Sequence, residues 1–216
     1  MLTVVTLKGY NMKNILILSL LLTFFTLTLE AKNIDAALLS KKDGIAYEKS
    51  HKEPFTGNVY SFFNNGKTKK IVPYYRGKID GRLTEWRKDG SVKTIAYFRS
   101  GKQDGEYIAK YSNGQKAIVA YFRNGKQDGE VTTWYRNGNK KSLAYYKNDI
   151  QDGEAKTWYE NGEKKTEAYY RNGEKNGNYT LWHKNGKVAY KGLYSNGKLI
   201  GVPQQWQKDG TQIASK

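Results

Sequence analysis

Glycines recur in this chain at a fixed interval of 24 residues, and this period constrains the fold more than any other feature. One series is unbroken through seven copies: Gly57, Gly81, Gly105, Gly129, Gly153, Gly177 and Gly201. A second series follows at Gly66, Gly90, Gly114, Gly138, Gly162, Gly186 and Gly210. Because a fixed period is the signature of stacked supersecondary units, the sequence predicts a repeat array. We number its units 1 to 7, with the first glycine series at position 1 of each unit.

The residues between these glycines predict β-strands. Position 9 is Asn or Asp in every unit, directly before the glycine at position 10. This dipeptide between aromatic and Thr-rich segments favours a type I′ hairpin turn, in which both central residues have positive φ. Each interior glycine would cost a helix about 1 kcal/mol, so helices are excluded. We therefore expect an all-β fold, an elongated antiparallel β-hairpin array in a single twisted sheet, with a second turn near positions 20 to 25.

The predicted turn at positions 9 and 10 also predicts a register. It pairs position 8 with 11, 6 with 13 and 4 with 15, and directly opposed residues share a face. One face would carry positions 6, 15 and 17, and the other would carry positions 7, 16 and 18. The aromatic rows of the first face are the candidate binding residues: Trp86, Trp134, Trp158, Trp182, Trp206, Tyr97, Tyr121, Tyr145 and Tyr169.

A repeated acidic hexapeptide, GKQDGE at residues 101–106 and 125–130, is the strongest candidate for a metal or catalytic loop. It lacks the further oxygen ligands of a calcium loop, and four of the seven units have no acid at position 2. We interpret it as the seam between adjacent units, where an Asp-Gly turn recurs. The two histidines, His51 and His183, have no partner pattern for zinc or a catalytic triad. We expect no metal, no cofactor and no catalytic residues, and interpret His183 as a surface substitution for Tyr.

The N-terminal residues 1–31 have the pattern of a secretory signal peptide. Lys13 precedes an apolar run of 15 residues from Ile15 to Leu29, and Ala31 provides a small residue for cleavage. The run is shorter than the roughly 20 residues that span a bilayer. We interpret residues 1–11 as an over-long start. The signal predicts export to the periplasm, the cell surface or the medium, and an uncleaved N-terminal membrane anchor is the alternative.

The rest of the chain is strongly basic and has no cysteine. We divide it into an N-terminal cap hairpin at 32–56 and seven repeats at 57–216, of which the last is partial. It carries +16 of the net charge of +17, which favours anionic partners, although evenly spread lysines are also typical of a plain solvated surface. The absence of Cys excludes disulfide scaffolds, thiolate zinc sites and cysteine nucleophiles.

Two segments carry a family resemblance: GEVTTWYRNGNKKSLAYY at 129–146 and GEAKTWYENGEKKTEAYYRNGEKNG at 153–177. They resemble the variant membrane-occupation-and-recognition-nexus (MORN) repeat, described in bacteria under the YwqK-type antitoxin family. The resemblance covers roughly residues 40–216. It implies an elongated antiparallel β array that binds membranes, other proteins or a cognate toxin, without catalytic residues. Lys110 at position 6 and Asp149, in place of a recurring glycine at position 21, depart from the pattern, and we expect any localised site near them.

These inferences together predict an exported, non-enzymatic repeat protein. It would provide an interaction scaffold for a protein partner or for an anionic membrane or glycan surface. The alternative function is an antitoxin or immunity protein that binds a cognate toxin. Nucleic acid is disfavoured because an exported protein rarely meets it. A small-molecule substrate is disfavoured because no clustered, non-repeating set of polar residues is found.

Overall fold

The computed structural model describes residues 32–214, and the predicted signal peptide at 1–31 lies outside the described residues. The strands are β1 (Lys32–Asp35), β2 (Leu39–Lys42), β3 (Ile45–Glu48), β4 (Gly57–Phe62), β5 (Thr68–Tyr75), β6 (Lys78–Ile79), β7 (Gly81–Trp86), β8 (Val92–Arg99), β9 (Lys102–Lys110), β10 (Lys116–Arg123), β11 (Lys126–Trp134), β12 (Lys140–Lys147), β13 (Ile150–Trp158), β14 (Lys164–Arg171), β15 (Glu174–Lys175), β16 (Gly177–Trp182), β17 (Val188–Ser195), β18 (Lys198–Trp206) and β19 (Gln212–Ile213). All of them except β2 and β3 form one sheet of 17 strands. The predicted all-β array of hairpins in a single antiparallel sheet is therefore confirmed.

Before the repeats, the chain forms a small N-terminal subdomain. Strand β1 pairs with β4 in parallel, the single parallel pairing among the described strands. A short 3₁₀ helix at Ala36–Leu38 leads into the two-stranded hairpin of β2 and β3. The main cluster of buried hydrophobic side chains lies where this subdomain meets unit 1, and its members are Ile34, Ala46, Phe55, Val59 and Tyr74. No helical segment within residues 32–214 is long and apolar enough to cross a membrane.

The predicted type I′ turn at positions 9 and 10 is wrong. In unit 4, Gly138 has a φ of 92°, whereas the preceding Asn137 is not among the residues with positive φ. The Gly138 N–H donates to the Tyr135 carbonyl at 3.0 Å, and the Tyr135 N–H donates to the Asn139 carbonyl at 2.9 Å. This pattern is that of a three-residue loop closed by a glycine bulge.

The side chain at position 9 explains this outcome. The Asn137 Oδ1 accepts the N–H of Asn139 at 3.0 Å, an Asx turn that takes the place of the expected left-handed conformation. The equivalent bond occurs in all seven units. The bulge shifts the register, so that Trp134 opposes Lys140 at position 12. The predicted pairing of position 6 with 13 is therefore also wrong.

The type I′ geometry occurs at the other end of each hairpin, at positions 20 and 21. In unit 3, Asn124 has a φ of 52° and Gly125 a φ of 86°. In unit 4 the pair is Asn148 and Asp149, with φ of 51° and 70°. Asp is one of the few residues that tolerate this conformation, so the glycine can be replaced here without a change of turn.

The predicted division into two faces holds despite the shifted turn. Position 4 opposes position 15, as in the pair Thr132 and Leu143, and position 2 opposes position 17, as in Glu130 and Tyr145. We call the face that carries positions 2, 4, 6, 12, 15 and 17 the Trp face. Positions 3, 5, 14, 16, 18 and 23 lie on the opposite face, which we call the Ala face after the small residues at position 16.

In the central units the glycine at position 1 is required by its surroundings. Gly129 has a φ of 125°, and a Cβ there would lie 3.1 Å from the Cβ of Tyr121. Gly105 stands in the same relation to Tyr97, at 3.0 Å. In units 3, 4 and 5 this glycine therefore marks the place where the tyrosine at position 17 of the preceding unit packs over the backbone.

Candidate interaction surfaces

A ladder of hydrogen bonds at position 7 fixes neighbouring units to each other. The hydroxyls of Tyr111, Tyr135 and Tyr159 donate to the backbone carbonyls of Trp134, Trp158 and Trp182 in the next unit, at 2.7, 2.9 and 2.8 Å. In unit 6, His183 Nε2 lies 2.9 Å from the carbonyl of Trp206. His183 is half-buried, so it continues the ladder and is not a plain surface substitution.

Removal of one hydroxyl from this ladder has a predictable cost. The change Tyr135→Phe leaves the Trp158 carbonyl without this donor, and we expect the free energy of unfolding to fall by about 1 kcal/mol. The control is Tyr97→Phe, because the Tyr97 side chain lies on the exposed surface of the Trp face. Urea unfolding followed by circular dichroism measures both changes. Equal effects of the two variants would contradict the ladder.

The tryptophans of the Trp face alternate with lysines. Lys116, Lys140 and Lys164, at position 12, place their Nζ atoms 5.9, 6.0 and 5.2 Å from the ring centroids of Trp134, Trp158 and Trp182 in the next unit. Such cation–π contacts contribute about 0.5–1 kcal/mol at exposed sites. Each unit contributes two strands, so these pairs repeat about every 9–10 Å across the sheet. We call these six residues the Trp–Lys row.

Beside this row lies a second, more exposed row of tyrosines. Tyr97, Tyr121, Tyr145 and Tyr169 are between 37% and 46% exposed. The hydroxyl of Tyr121 donates to Glu106 at 3.3 Å, and that of Tyr145 donates to Glu130 at 3.0 Å. The charge of Glu106 raises the pKa of Tyr121, and the hydrogen bond to Glu130 raises the pKa of Tyr145. Both hydroxyls therefore stay protonated and the row stays amphipathic.

All nine predicted site residues lie on the Trp face. The tryptophans are half-buried and lie at the ends of their strands, and the tyrosines are exposed. Trp86 opposes Val92 and Trp206 opposes Gln212, so these two tryptophans, in units 2 and 7, hold the same register position as the central ones. The structure brings the two rows together on one face, and their role in binding is still a prediction.

Two of the repeated acids bind the turns between units. The Asp104 carboxylate, from the hexapeptide at 101–106, accepts the N–H of Asn124 at 3.2 Å. Asp152 accepts the N–H of Asn172 at 3.1 Å in the same way. Each acid thus stabilises the type I′ turn of the following unit, 20 residues away. Within residues 32–214 no group of three or more potential metal ligands is found.

The two departures from the repeat pattern lie at contacts between units, although the structure does not explain why Lys replaces Trp at position 110. The backbone carbonyl of Lys110 accepts a hydrogen bond from the Arg87 guanidinium, which replaces the tyrosine of the ladder. The Asp149 carboxylate accepts the N–H of Gln127 at 2.7 Å, and its own N–H donates to the Gln127 carbonyl at 2.9 Å. Both residues are therefore used in contacts between units.

Comparison with known proteins found one family whose model matches part of the array. A model of the MORN repeat variant matches residues 127–148, 151–172 and 175–196. Each match runs from position 23 of one unit to position 20 of the next, and so covers one complete hairpin between two type I′ turns. A search of curated proteins found no match. The central part of the array therefore contains three consecutive MORN-variant repeats, a non-enzymatic scaffold type associated with protein or membrane-lipid contacts.

Proposed function

We propose that this chain is an exported, non-enzymatic repeat protein whose Trp face attaches it to an anionic membrane surface. The observation that carries the proposal is the Trp–Lys row. Tryptophan rings favour the boundary between headgroups and acyl chains, because they are apolar with one polar edge. A lysine near an anionic leaflet contributes about 1 kcal/mol of attraction. The row presents both groups side by side, unit after unit.

The spacing of the row supports a surface as its partner. Successive ammonium groups lie about one Debye length apart at physiological salt. Their attractions therefore add over an extended anionic plane, whereas a compact ligand would meet one or two of them. The exposed tyrosines at position 17 would extend the contact across the same face. The net charge of +16 beyond residue 31 favours the approach to such a surface.

Vesicle co-sedimentation tests this proposal. The full chain is mixed with vesicles of phosphatidylcholine, with or without phosphatidylserine, at about 0.1 M and about 1 M salt, over which the Debye length falls from about 10 to 3 Å. We expect binding to the anionic vesicles at the lower salt and at least about a tenfold loss at the higher salt. The triple change of Lys116, Lys140 and Lys164 to Gln should cause a similar loss.

The matched control changes Lys102, Lys126 and Lys198 to Gln. These lysines follow the type I′ turns at the other end of the hairpins, so the control removes the same charge away from the Trp–Lys row. Circular dichroism shows whether both triple variants keep their strands. Equal loss of binding in the two variants, or equal binding to neutral vesicles, would refute the role of the Trp–Lys row. An antitoxin role would be favoured instead if no vesicle bound the chain and a stoichiometric complex with a toxin formed.

A further inference from the structure

The Ala face opens into a groove at unit 5. Its floor consists of Ala144, Ala155 and Ala168, which oppose one another across β12, β13 and β14. Position 3 is Ala155 here, and the residues at this position in the other units are larger: Val59, Leu83, Tyr107, Val131, Tyr179 and Pro203. The groove has a volume of about 310 Å³, at the small end of the range for ligand pockets.

Tyrosine rings form one side of this groove. Tyr146, Tyr170 and Tyr179 line it together with the amide of Gln151. Burial raises the pKa of Tyr170 and the pKa of Tyr179. Their hydroxyls are therefore protonated and able to donate hydrogen bonds, while the rings offer apolar surface to a ligand.

Hydroxyl pairs supply further polar groups on the floor. The Thr157 and Thr166 hydroxyls lie 2.5 Å apart, and the Ser142 hydroxyl lies 2.6 Å from that of Thr133. Each pair uses one of its two hydroxyl hydrogens internally. One donor and several lone pairs of each pair are left for a ligand, so the groove combines rings with neutral hydrogen-bonding groups.

Lys156, one of the two lysines that line the groove, is paired with Glu154 and Glu167, and Lys175 supplies the other ammonium group. The same position is Gln103, Gln127 and Gln151 in units 2, 3 and 4. The Lys175 Nζ lies 4.2 Å from the ring centroid of Tyr179 and 5.2 Å from that of Tyr194. Among the ion pairs within residues 32–214 none involves Lys175, and none of the residues that line the groove is acidic. This ammonium group is therefore suited to an anionic ligand.

We propose that the groove binds a saccharide residue that carries a carboxylate, a uronic acid of an acidic glycan. The carboxylate would meet the ammonium of Lys175 in a charge-assisted hydrogen bond. The apolar face of the sugar would pack on the tyrosine rings, and its hydroxyls would bond to Gln151 and to the hydroxyl pairs. This site lies on the face opposite the Trp–Lys row and does not depend on the proposed attachment to a membrane.

Calorimetric titration of the full chain with D-glucuronate tests the proposal. We expect saturable binding that weakens at least about tenfold in Lys175→Gln, because hydrogen bonds to charged groups contribute about 1.5–3 kcal/mol. This variant carries the residue that units 2 to 4 have at the same position. A second variant, Ala155→Val, carries the residue of units 1 and 4 and should abolish binding by filling the groove.

Two further ligands and one control variant complete the test. Methyl glucoside lacks the carboxylate and benzoate lacks the hydroxyls, and we expect both to bind more weakly than glucuronate. Lys126→Gln, on the turns, should leave glucuronate binding unchanged. Absence of binding, unchanged binding in Ala155→Val, or equal binding of benzoate would overturn the proposal. Vesicle binding should be unaffected by Lys175→Gln, so the two proposals can fail separately.

Discussion

Replacement of Gly77 by alanine is expected to lower the free energy of unfolding by about 2–5 kcal/mol. Gly77 has a φ of 76°, and a Cβ there would lie 2.3 Å from the Cγ2 of Ile45 and 2.9 Å from the carbonyl oxygen of Ala46. Left-handed strain costs about 1–2 kcal/mol, and forcing extra atoms into a packed region costs a further 1–3 kcal/mol or so.

The position of Gly77 explains why its neighbours cannot simply move away. Its N–H donates to the Phe55 carbonyl at 2.8 Å, and its carbonyl accepts the N–H of Ala46 at 2.8 Å. The bond to Ala46 holds the hairpin of β2 and β3 against unit 1, and the bond to Phe55 holds the segment between β3 and β4. A displaced hairpin would lose the Ala46 bond and would open the buried cluster around Ala46, which is fully buried.

A second glycine of the same unit provides the matched control. Gly66 has a φ of 79°, and a Cβ there would meet nothing within 4 Å. Gly66→Ala should therefore show only the conformational strain, about 1–2 kcal/mol. Urea unfolding followed by circular dichroism gives both values. Equal losses in the two variants would show that the contact with the N-terminal subdomain contributes nothing to stability.

The change Phe55→Ala is expected to cost about 3–5 kcal/mol. Phe55 is 4% exposed, and its ring packs edge-on against Tyr74 with a centroid distance of 6.2 Å. It joins the N-terminal subdomain to the first hairpin, because its N–H also donates to the Ala46 carbonyl at 2.9 Å. Truncation would leave a cavity at the center of the buried cluster.

Phe62→Ala is the control for this change. Phe62 lies on the Trp face, is 48% exposed and stacks on Tyr60 at 6.3 Å, so we expect a loss below about 1 kcal/mol. Unfolding curves compare the two variants, and hydrogen exchange of β4 and β5 locates the effect. Since units of an array contact only their neighbours, exchange in units 4 to 6 should change little. A loss spread evenly over all units would argue against this local coupling.

The sequence by itself determined the strands, the period and the two faces. Alternation along a strand has a period of two residues, so the pairing of position 4 with 15 placed Trp134 and Tyr145 on one face even though the turn was predicted wrongly. The error at the turn arose because Asn-Gly is compatible with both a type I′ turn and a three-residue loop with a bulge. The bond from the Asn139 N–H to the Asn137 side chain selects the second.

Contacts between units were decided only by the tertiary structure. The bond from the Asn124 N–H to the Asp104 carboxylate and the bond from the Tyr135 hydroxyl to the Trp158 carbonyl join residues about one period apart. A periodic sequence offers several such partners at once. The groove at Ala155 and the position of the Lys175 ammonium were likewise visible only in the tertiary structure. Each arises from a single substitution in the repeat. The volume or charge that such a substitution gives to a site depends on the side chains that the neighbouring strands place around it, so it cannot be assigned from one residue alone.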